Sequence, residues 1–482
     1  MNTFEIILTA LAAALLLLIG VLLVRTLRFK PHKQPTVLEN DEPIDCDRVI
    51  SNLQTLVRFR TVSYQDRSLE DDAEFEGMIE KLPELYPNVY KTCTLTRLPD
   101  RALLYLWKGK TAGDATVLMA HYDVVPVNED AWEKPPFEAI LENGVLWGRG
   151  TLDTKVTFSG ILTAADALIA QGYTPEHDVY FAFSGGEEVN GEGAPNIVSY
   201  FKENKISIGL VVDEGGAVVE NVFPGVSAAC GMIGIAEKGM VDVSYKTKSA
   251  GGHASAPKPH TPVGVLSKAC CRIEANPFPS HLCTPVAKMF DTLGRYSSFV
   301  YRMIFANLWC FSPLLDMICK KSGGELNALM RTTVAFTQMS GSSAANVIPP
   351  EAEMVSNIRL NPMDTVESAK AYLQKTVNDP NVEIDVIYGM NPSPISDCNC
   401  PAWDKVATAV ASTWKGCIVS PYLMMQCSDS RHYGEISNHV YRFSAMDLTS
   451  AERATIHGNN ERIRVETACR ACEFYVRLMK LV

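Results

Sequence analysis

Five short segments carry residues able to hold a metal ion and move a proton, and three of them follow apolar runs. His121 and Asp123 come after the run 116–120, Glu187 and Glu188 after 179–183, and Asp213 and Glu214 after 210–212. Asp153 lies in the stretch Gly148-Arg149-Gly150-Thr151-Leu152-Asp153-Thr154-Lys155, and His457 in Ile456-His457-Gly458-Asn459-Asn460. Mixed imidazole and carboxylate ligands suit zinc, and one carboxylate can bridge two ions roughly 3.5–4 Å apart. Adjacent Glu187 and Glu188 can divide the work, one as ligand and one as base. Each segment alone is weak. An acid at a strand end more often caps the next helix, and most of the nine histidines must be ordinary. It is the convergence of all five that points to a two-metal hydrolytic centre.

Such a centre needs a scaffold that brings strand ends to one place. Apolar runs at 102–106, 116–120, 179–183 and 210–212, with a helical stretch at 156–171, predict an α/β fold with a mostly parallel sheet covered on both faces. In open sheets of this kind ligands bind beyond the carboxyl ends of the strands. Helices are also predicted over 46–62 and over 461–478, the second directly after His457. Past residue 231 the pattern changes to strands near 240–247, 332–339, 353–360 and 382–388 and helices near 262–275 and 365–377, which reads as an inserted α+β domain. The chain then divides into an N-terminal anchor 1–30, a linker 31–45, a catalytic domain 46–231, the insert 232–390 and a second catalytic part 391–482. The apolar stretch 299–319 carries Arg302, Pro313 and Asp316, which favours an interface or lid helix over a second membrane span.

Bulk properties narrow the function classes. A chain of 482 residues that is 47% hydrophobic has room for two domains. Its net charge of -11 and lack of a Lys/Arg stripe exclude nucleic acid as a partner. The uncharged run 6–24 would extend about 28 Å as a helix, close to the thickness of a bilayer's hydrocarbon core. It reads as a single-pass transmembrane helix and not a cleaved signal, because Glu5 and no Lys or Arg precede it and no A-x-A pattern follows. Arg25, Arg28, Lys30 and Lys33 come next, which by the positive-inside rule keeps the catalytic part cytoplasmic. Fourteen scattered cysteines read as free thiols, in agreement with that compartment.

The motifs His121-Tyr122-Asp123-Val124-Val125-Pro126, Gly148-Arg149-Gly150-Thr151 with Asp153 and Lys155, Gly186-Glu187-Glu188, Asp213-Glu214-Gly215-Gly216, Gly251-Gly252-His253-Ala254-Ser255 and Asn346-Val347-Ile348-Pro349 carry a resemblance. Together, from residue 46 to the end, they resemble the aminoacylase and glutamate carboxypeptidase family of zinc peptidases. Ser428-Asp429-Ser430-Arg431-His432-Tyr433, His457-Gly458-Asn459-Asn460-Glu461-Arg462 and Ile304-Phe305-Ala306-Asn307-Leu308-Trp309 are most similar to its carboxypeptidase S and N-fatty-acyl-amino-acid hydrolase members. The resemblance implies two Zn2+ per subunit, with Co2+ or Mn2+ as substitutes. Asp153 would bridge them, His121 and Asp213 would complete one ion, and Glu188 and His457 the other. Glu187 would be the general base, taking a proton from the attacking water and delivering it to the leaving nitrogen. Asp123 would accept a hydrogen bond from the far nitrogen of His121 and set its tautomer.

In the insert, which the resemblance makes a lid or dimerisation domain, His253 would steady the oxyanion, often in the partner's site of a homodimer. The plain alternative is a turn histidine. Asn346 and Arg359 would hold the substrate's carbonyl and carboxylate, or Arg359 is a surface strand residue. Arg431 is a second carboxylate clamp or a salt-bridge partner. Lys155, His432 and Tyr433 are further candidates to line the site.

The leading reading is a metallohydrolase that cuts the amide bond of an N-acyl amino acid or small peptide beside a free carboxylate. A dipeptidase or aminopeptidase with the same metal core is the alternative among enzymes, and a catalytically inactive binding protein the alternative outside them. The anchor and the 299–319 stretch together suggest a lipid-like acyl group arriving from the membrane, against an ordinary lid or dimer contact.

Overall fold

The computed structural model describes residues 3–482. Residues 1 and 2 of the expected anchor lie outside the described residues. The chain opens with helix α1 (Thr3–Arg28), whose mean hydropathy reaches 3.0 and which is exposed almost throughout. An extended segment follows, pinned to the body where the Val419 amide donates to Gln34 Oε1 and the Leu38 amide to Ser412 Oγ, both at 2.9 Å. Helix α2 (Cys46–Val57) then starts under an Asp45 cap.

The main sheet is built from β1 (Thr94–Leu98), β2 (Ala102–Trp107), β3 (Ala115–His121), β4 (Val179–Ser184), β5 (Ile208–Val219) and β6 (Cys230–Glu237), joined late in the chain by β13 (Ile418–Met424) and β14 (Val440–Leu448). Their order is β1-β2-β4-β3-β5-β14-β6-β13. The centre, β4-β3-β5-β14, is parallel, as is β6 with β13, whereas β1, β2 and β4 pair antiparallel and so do β14 and β6. The sheet is therefore mixed. The tight turn through Asp100 and Arg101, both at positive φ, makes β1 and β2 a hairpin, which forces antiparallel pairing. Every residue of β3 is buried, Leu118 and Ala120 against one core and Val117 and Met119 against another, so the apolar run has no polar face. Helix α3 (Lys155–Ala170) covers one of these faces.

A second sheet has its own core. It uses β7 (Gly239–Lys248), β9 (Thr333–Ser340), β11 (Glu351–Leu360) and β12 (Glu383–Met390) in the order β9-β11-β7-β12, all antiparallel. Alternate residues Val241, Val243 and Tyr245 meet Ala352, Met354 and Ile358 under helices α4 (Pro262–Ala275) and α9 (Val366–Val377). A two-stranded ribbon, β8 (Gly252–His253) with β10 (Val347–Ile348), extends from it.

Two boundaries differ from expectation. The chain leaves the main sheet at Lys238 and not at 231, because β6 still pairs with β13 and β14. Helices α5 (Thr284–Gly294), α6 (Phe299–Ala306), α7 (Leu308–Ser322) and α8 (Gly324–Met330), expected within the insert, bury Val286, Phe290, Phe305, Cys319 and Met330 in the main core instead. The chain closes with α10 (Pro401–Thr413), the single turn α11 (Ser450–Arg453), a short strand Arg462–Arg464 and α12 (Val465–Leu481). Cys46 at the start of α2 and Cys469 in α12 are paired, which differs from the reading of every cysteine as a free thiol.

Candidate metal centre

The carboxyl ends of β3 and β4, the middle of β5 and two loops deliver one cluster. His121 ends β3, Glu187 and Glu188 occupy a short turn after β4, Glu214 lies in β5, Asp153 precedes α3, and His457 follows α11. The two carboxylate oxygens of Asp153 are shared out, Oδ1 3.0 Å from His121 Nε2 and Oδ2 2.9 Å from His457 Nε2. Glu188 Oε2 stands 3.1 Å from His457 Nε2, and Glu214 Oε1 3.5 Å from His121 Nε2. His121, Glu187 and Glu214 form one set of converging ligand atoms, and His121, Asp153 and Glu188 another, each within 4.8 Å.

Sequence reasoning placed Asp213 in this cluster, and the structure does not. Successive strand residues point to opposite faces, so Asp213 turns away to accept the Ser430 amide at 2.9 Å while its neighbour Glu214 meets His121. The motif Asp213-Glu214 was visible in the sequence; only the facing was missed. His457 also sits differently, since the strand Arg462–Arg464 separates it from the last helix.

The electrostatics favour cations. Burial raises Glu188 to about 7, helped by Asp153, and burial likewise raises Glu214 to about 7. Glu187 is pushed well above the usual carboxylate range by burial and by Glu214, Asp429 and Glu188. Hydrogen bonds to Asp153 and Glu188 raise His457 to about 10. His121 is held well above its ordinary value, Glu214 and the hydrogen bonds to Asp123 and Asp153 outweighing its burial. Four carboxylates this close are thus short of positive charge. Glu188 Oε1, buried, has no hydrogen-bond partner among the described residues, which is what a metal-ligand atom looks like without its ion. The donor set of two imidazoles and several carboxylates fits a zinc pair.

Supporting residues hold the ligands in place. His121 Nδ1 lies 3.0 Å from the Asp123 carbonyl and 3.4 Å from its carboxylate, so Nδ1 donates and Nε2 is left to face Asp153 and Glu214. The Asp123 carboxylate accepts the amides of Glu187 and Glu188 at 3.2 Å each. Glu461 and Arg149 were not singled out from the sequence. The buried Glu461 carboxylate accepts Arg149 Nη1 at 2.6 Å and the amides of Gly150, Leu152 and Asp153, while Arg149 Nη2 donates to the Gly458 carbonyl. One ion pair therefore ties the Asp153 loop to the His457 loop.

The remaining predicted residues lie outside the cluster. His253 is exposed on the ribbon, where its Nδ1 accepts the Ser255 amide at 3.1 Å, leaving Nε2 as the proton-bearing nitrogen. Asn346 is beside it, its carbonyl accepting the Ala254 amide. Arg359 reaches from β11 across to the main domain, with Nη1 3.5 Å from Cys427 Sγ. Arg431 donates to Asn190 Oδ1 at 2.8 Å, and its buried Nε has no hydrogen-bond partner among the described residues. Lys155 does not line the site: its ammonium caps the carbonyls of Leu56 and Phe59, and burial lowers it to about 7. His432 is lowered to about 4 by burial and by Arg431, and Tyr433 is buried in a core.

A cavity of about 410 Å³ opens from the cluster. Asp153, Glu187, Glu214 and His457 form its polar end, and Val219, Phe223, Met232, Met289, Leu329 and Met446 are among its apolar walls. Its exposed rim includes Glu325 and Arg453, paired at 3.3 Å.

Residues 117–481 match the family described as Peptidase family M20/M25/M40. Among curated relatives, a probable carboxypeptidase S-like 2 of Dictyostelium discoideum is 33% identical over 96% of this chain and 92% of its own length. An N-fatty-acyl-amino acid synthase/hydrolase, PM20D1.1, of Danio rerio is 31% identical over 99% of this chain and 95% of its own. Among solved structures, an M20 family metallo-carboxypeptidase from Sulfolobus solfataricus superposes with a TM-score of 0.67 at 18% identity, covering 90% of this chain and 98% of that one.

Proposed function

The chain belongs to peptidase family M20/M25/M40 and is a hydrolytic enzyme, and from that premise we propose that it uses two zinc ions to cleave the amide bond of N-acyl amino acids with a long, apolar acyl group. The observation that carries this reading is the apolar cavity opening directly from the Asp153, Glu187 and Glu214 carboxylates. A hydrocarbon chain is the occupant such walls select. The name of the Danio rerio relative points the same way.

In this proposal His121, Asp153, Glu188, Glu214 and His457 hold the ions. Bound there, divalent ions supply Lewis acidity toward the amide carbonyl and the attacking water. Glu187, lining the cavity's polar end, receives the water's proton and returns it to the leaving nitrogen. Burial and the neighbouring carboxylates raise its affinity for a proton, as suits a group that takes one up and hands it on. Asp123 fixes the His121 tautomer and, through two amides, the direction of Glu187 and Glu188. The amino acid's carboxylate is taken by Arg431 and Arg359, both of which lie near Cys427. His253 and Asn346 serve as donors to the amide oxygen when the second-sheet unit closes, from the same chain or from a second copy. Helix α1 anchors the protein in a membrane.

The test is a substrate panel on the full chain loaded with zinc or cobalt. Long-chain N-acyl amino acids are expected to be cleaved faster than N-acetyl ones and far faster than free dipeptides. Glu187→Gln should keep its metal content and lose at least about 100-fold in kcat, the scale of a missing general base. A preference for free dipeptides, or normal turnover by Glu187→Gln, would refute the reading.

A further inference from the structure

Helices α6 and α7 form an elbow, bent by 110° at Asn307, whose outer side is apolar. Phe299, Val300, Trp309, Leu314, Met317 and Ile318 are each between 44% and 62% exposed. Of the charged residues of α7, Asp316 turns inward to pair with Lys320 at 2.9 Å and with Arg331, while Lys320 and Lys321 are exposed in its last turn. An exposed apolar group of this size marks a contact with something other than water.

What covers it follows from its attachment to α1. Arg25 donates from Nε and Nη2 to the Ala306 carbonyl at 3.2 and 3.1 Å, and Asn307 Nδ2 donates to the Leu22 carbonyl and to Thr26 Oγ1, both at 3.3 Å. Thr26 and Asn307 are 1% and 0% exposed, so this junction is closed to solvent. Leu22 still belongs to the apolar run of α1, which puts the elbow's corner at the depth where α1 leaves the hydrocarbon. At about 1.5 Å per residue the 26 residues of α1 exceed a bilayer core by roughly a third, so its last turns lie at the interface beside the elbow. A cleaved leader would leave Asn307 bare at the elbow's corner.

The elbow also adjoins the cavity. Phe305 of α6 stacks on Phe223, a cavity wall residue, with centroids 4.6 Å apart. Helix α8, which follows α7 after one residue, supplies Glu325, Leu326 and Leu329 to the cavity lining and Glu325 to its rim. We infer that the α6–α7 elbow is seated in the same leaflet from which α1 emerges, so that the rim at Glu325 and Arg453 lies at the lipid surface and an acyl substrate passes from the bilayer into the cavity. This rests on α1 as an anchor and on the acyl-amidase reading above.

The experiment uses the full chain in phosphatidylcholine vesicles with or without lipids brominated on their acyl chains. Of the six tryptophans Trp309 is exposed, Trp107, Trp132, Trp403 and Trp414 are buried, and Trp147 is half-buried. Bromine should therefore quench wild-type tryptophan emission, and Trp309→Phe should lose most of the quenchable part. The paired substitution Met317→Glu with Ile318→Glu places charge on the seated face and should lower kcat/KM about 10-fold or more for a long-chain N-acyl amino acid held in vesicles. Cleavage of a soluble N-acetyl amino acid should not change. Quenching that persists undiminished in Trp309→Phe overturns the inference, as do unchanged rates on the vesicle-held substrate or an equal fall on both substrates. If wild type cleaves neither substrate, it is the acyl-amidase reading that fails, and the quenching result still decides where the elbow sits.

Discussion

The acid that meets His121 differs from its chain neighbour only in which side of β5 it leaves. Glu214 faces the cluster and Asp213 faces the Ser430 amide. Glu214→Ala is therefore expected to lower the number of ions bound per chain and to abolish turnover, while Asp213→Ala leaves both ions in place. Metal analysis after dialysis at fixed zinc distinguishes the two, and loss of an ion in Asp213→Ala with retention in Glu214→Ala would reverse the assignment. Most of the cluster was legible in the sequence because His121, Asp153, Glu187, Glu188 and His457 sit in segments whose composition already announces strand ends and tight loops. Choosing between two adjacent acids was not legible, since both types ligate zinc and the strand's alternation reveals facing only once its register is known. Glu461 and Arg149 were missed for a different reason. Their importance lies in a contact between residues 312 positions apart, which no local pattern records.

Elements position the site through that contact. The Asp153 loop enters α3 and the His457 loop leaves α11, and neither belongs to a strand that could fix it. Glu461 supplies the missing constraint by accepting three amides of the first loop and the guanidinium that holds the second. Glu461→Gln keeps the size and loses the charge that Arg149 needs. It should weaken zinc binding by about 10- to 100-fold, the usual effect of disturbing a residue behind the ligands, with the same number of ions at saturation. Competition with a chelator of known affinity measures it, and unchanged affinity would show that the two loops hold themselves. At this scale the strands and long helices were legible, since β3 follows from its unbroken apolar run and α4 from its helical spacing. The placement of α5 to α8 was not. Their amphipathic pattern says that each buries a face but not which sheet receives it, and they pack on the main sheet while their flanking strands form the other.

Across the whole molecule the cluster makes metal and proton compete. Burial raises Glu188 and Glu214 from 4.5 to about 7, and Asp213 and Asp429 from 3.8 to about 6, and it raises Glu187 and Glu461 in the same direction. An acid with a raised value binds a proton in the folded state that the unfolded chain has already lost. Between pH 4.5 and 7 the metal-free protein should therefore lose stability as pH rises. His432, lowered from 6.5 to about 4 by burial and Arg431, acts oppositely in that window but is one group against six. Asp153 is lowered and so contributes only below its ordinary 3.8, and Lys155 and Lys238, lowered to about 7, contribute only above the window. Zinc replaces those protons, so it should bind more weakly as pH falls and stabilise most at the upper end. Chelator-stripped protein is expected to melt higher at pH 5.5 than at pH 7, and the increment in Tm on adding zinc should grow across the same interval. A stripped protein whose Tm rises with pH there, or a zinc increment that shrinks, would mean that the carboxylates are neutralised by the protein itself and not by ions.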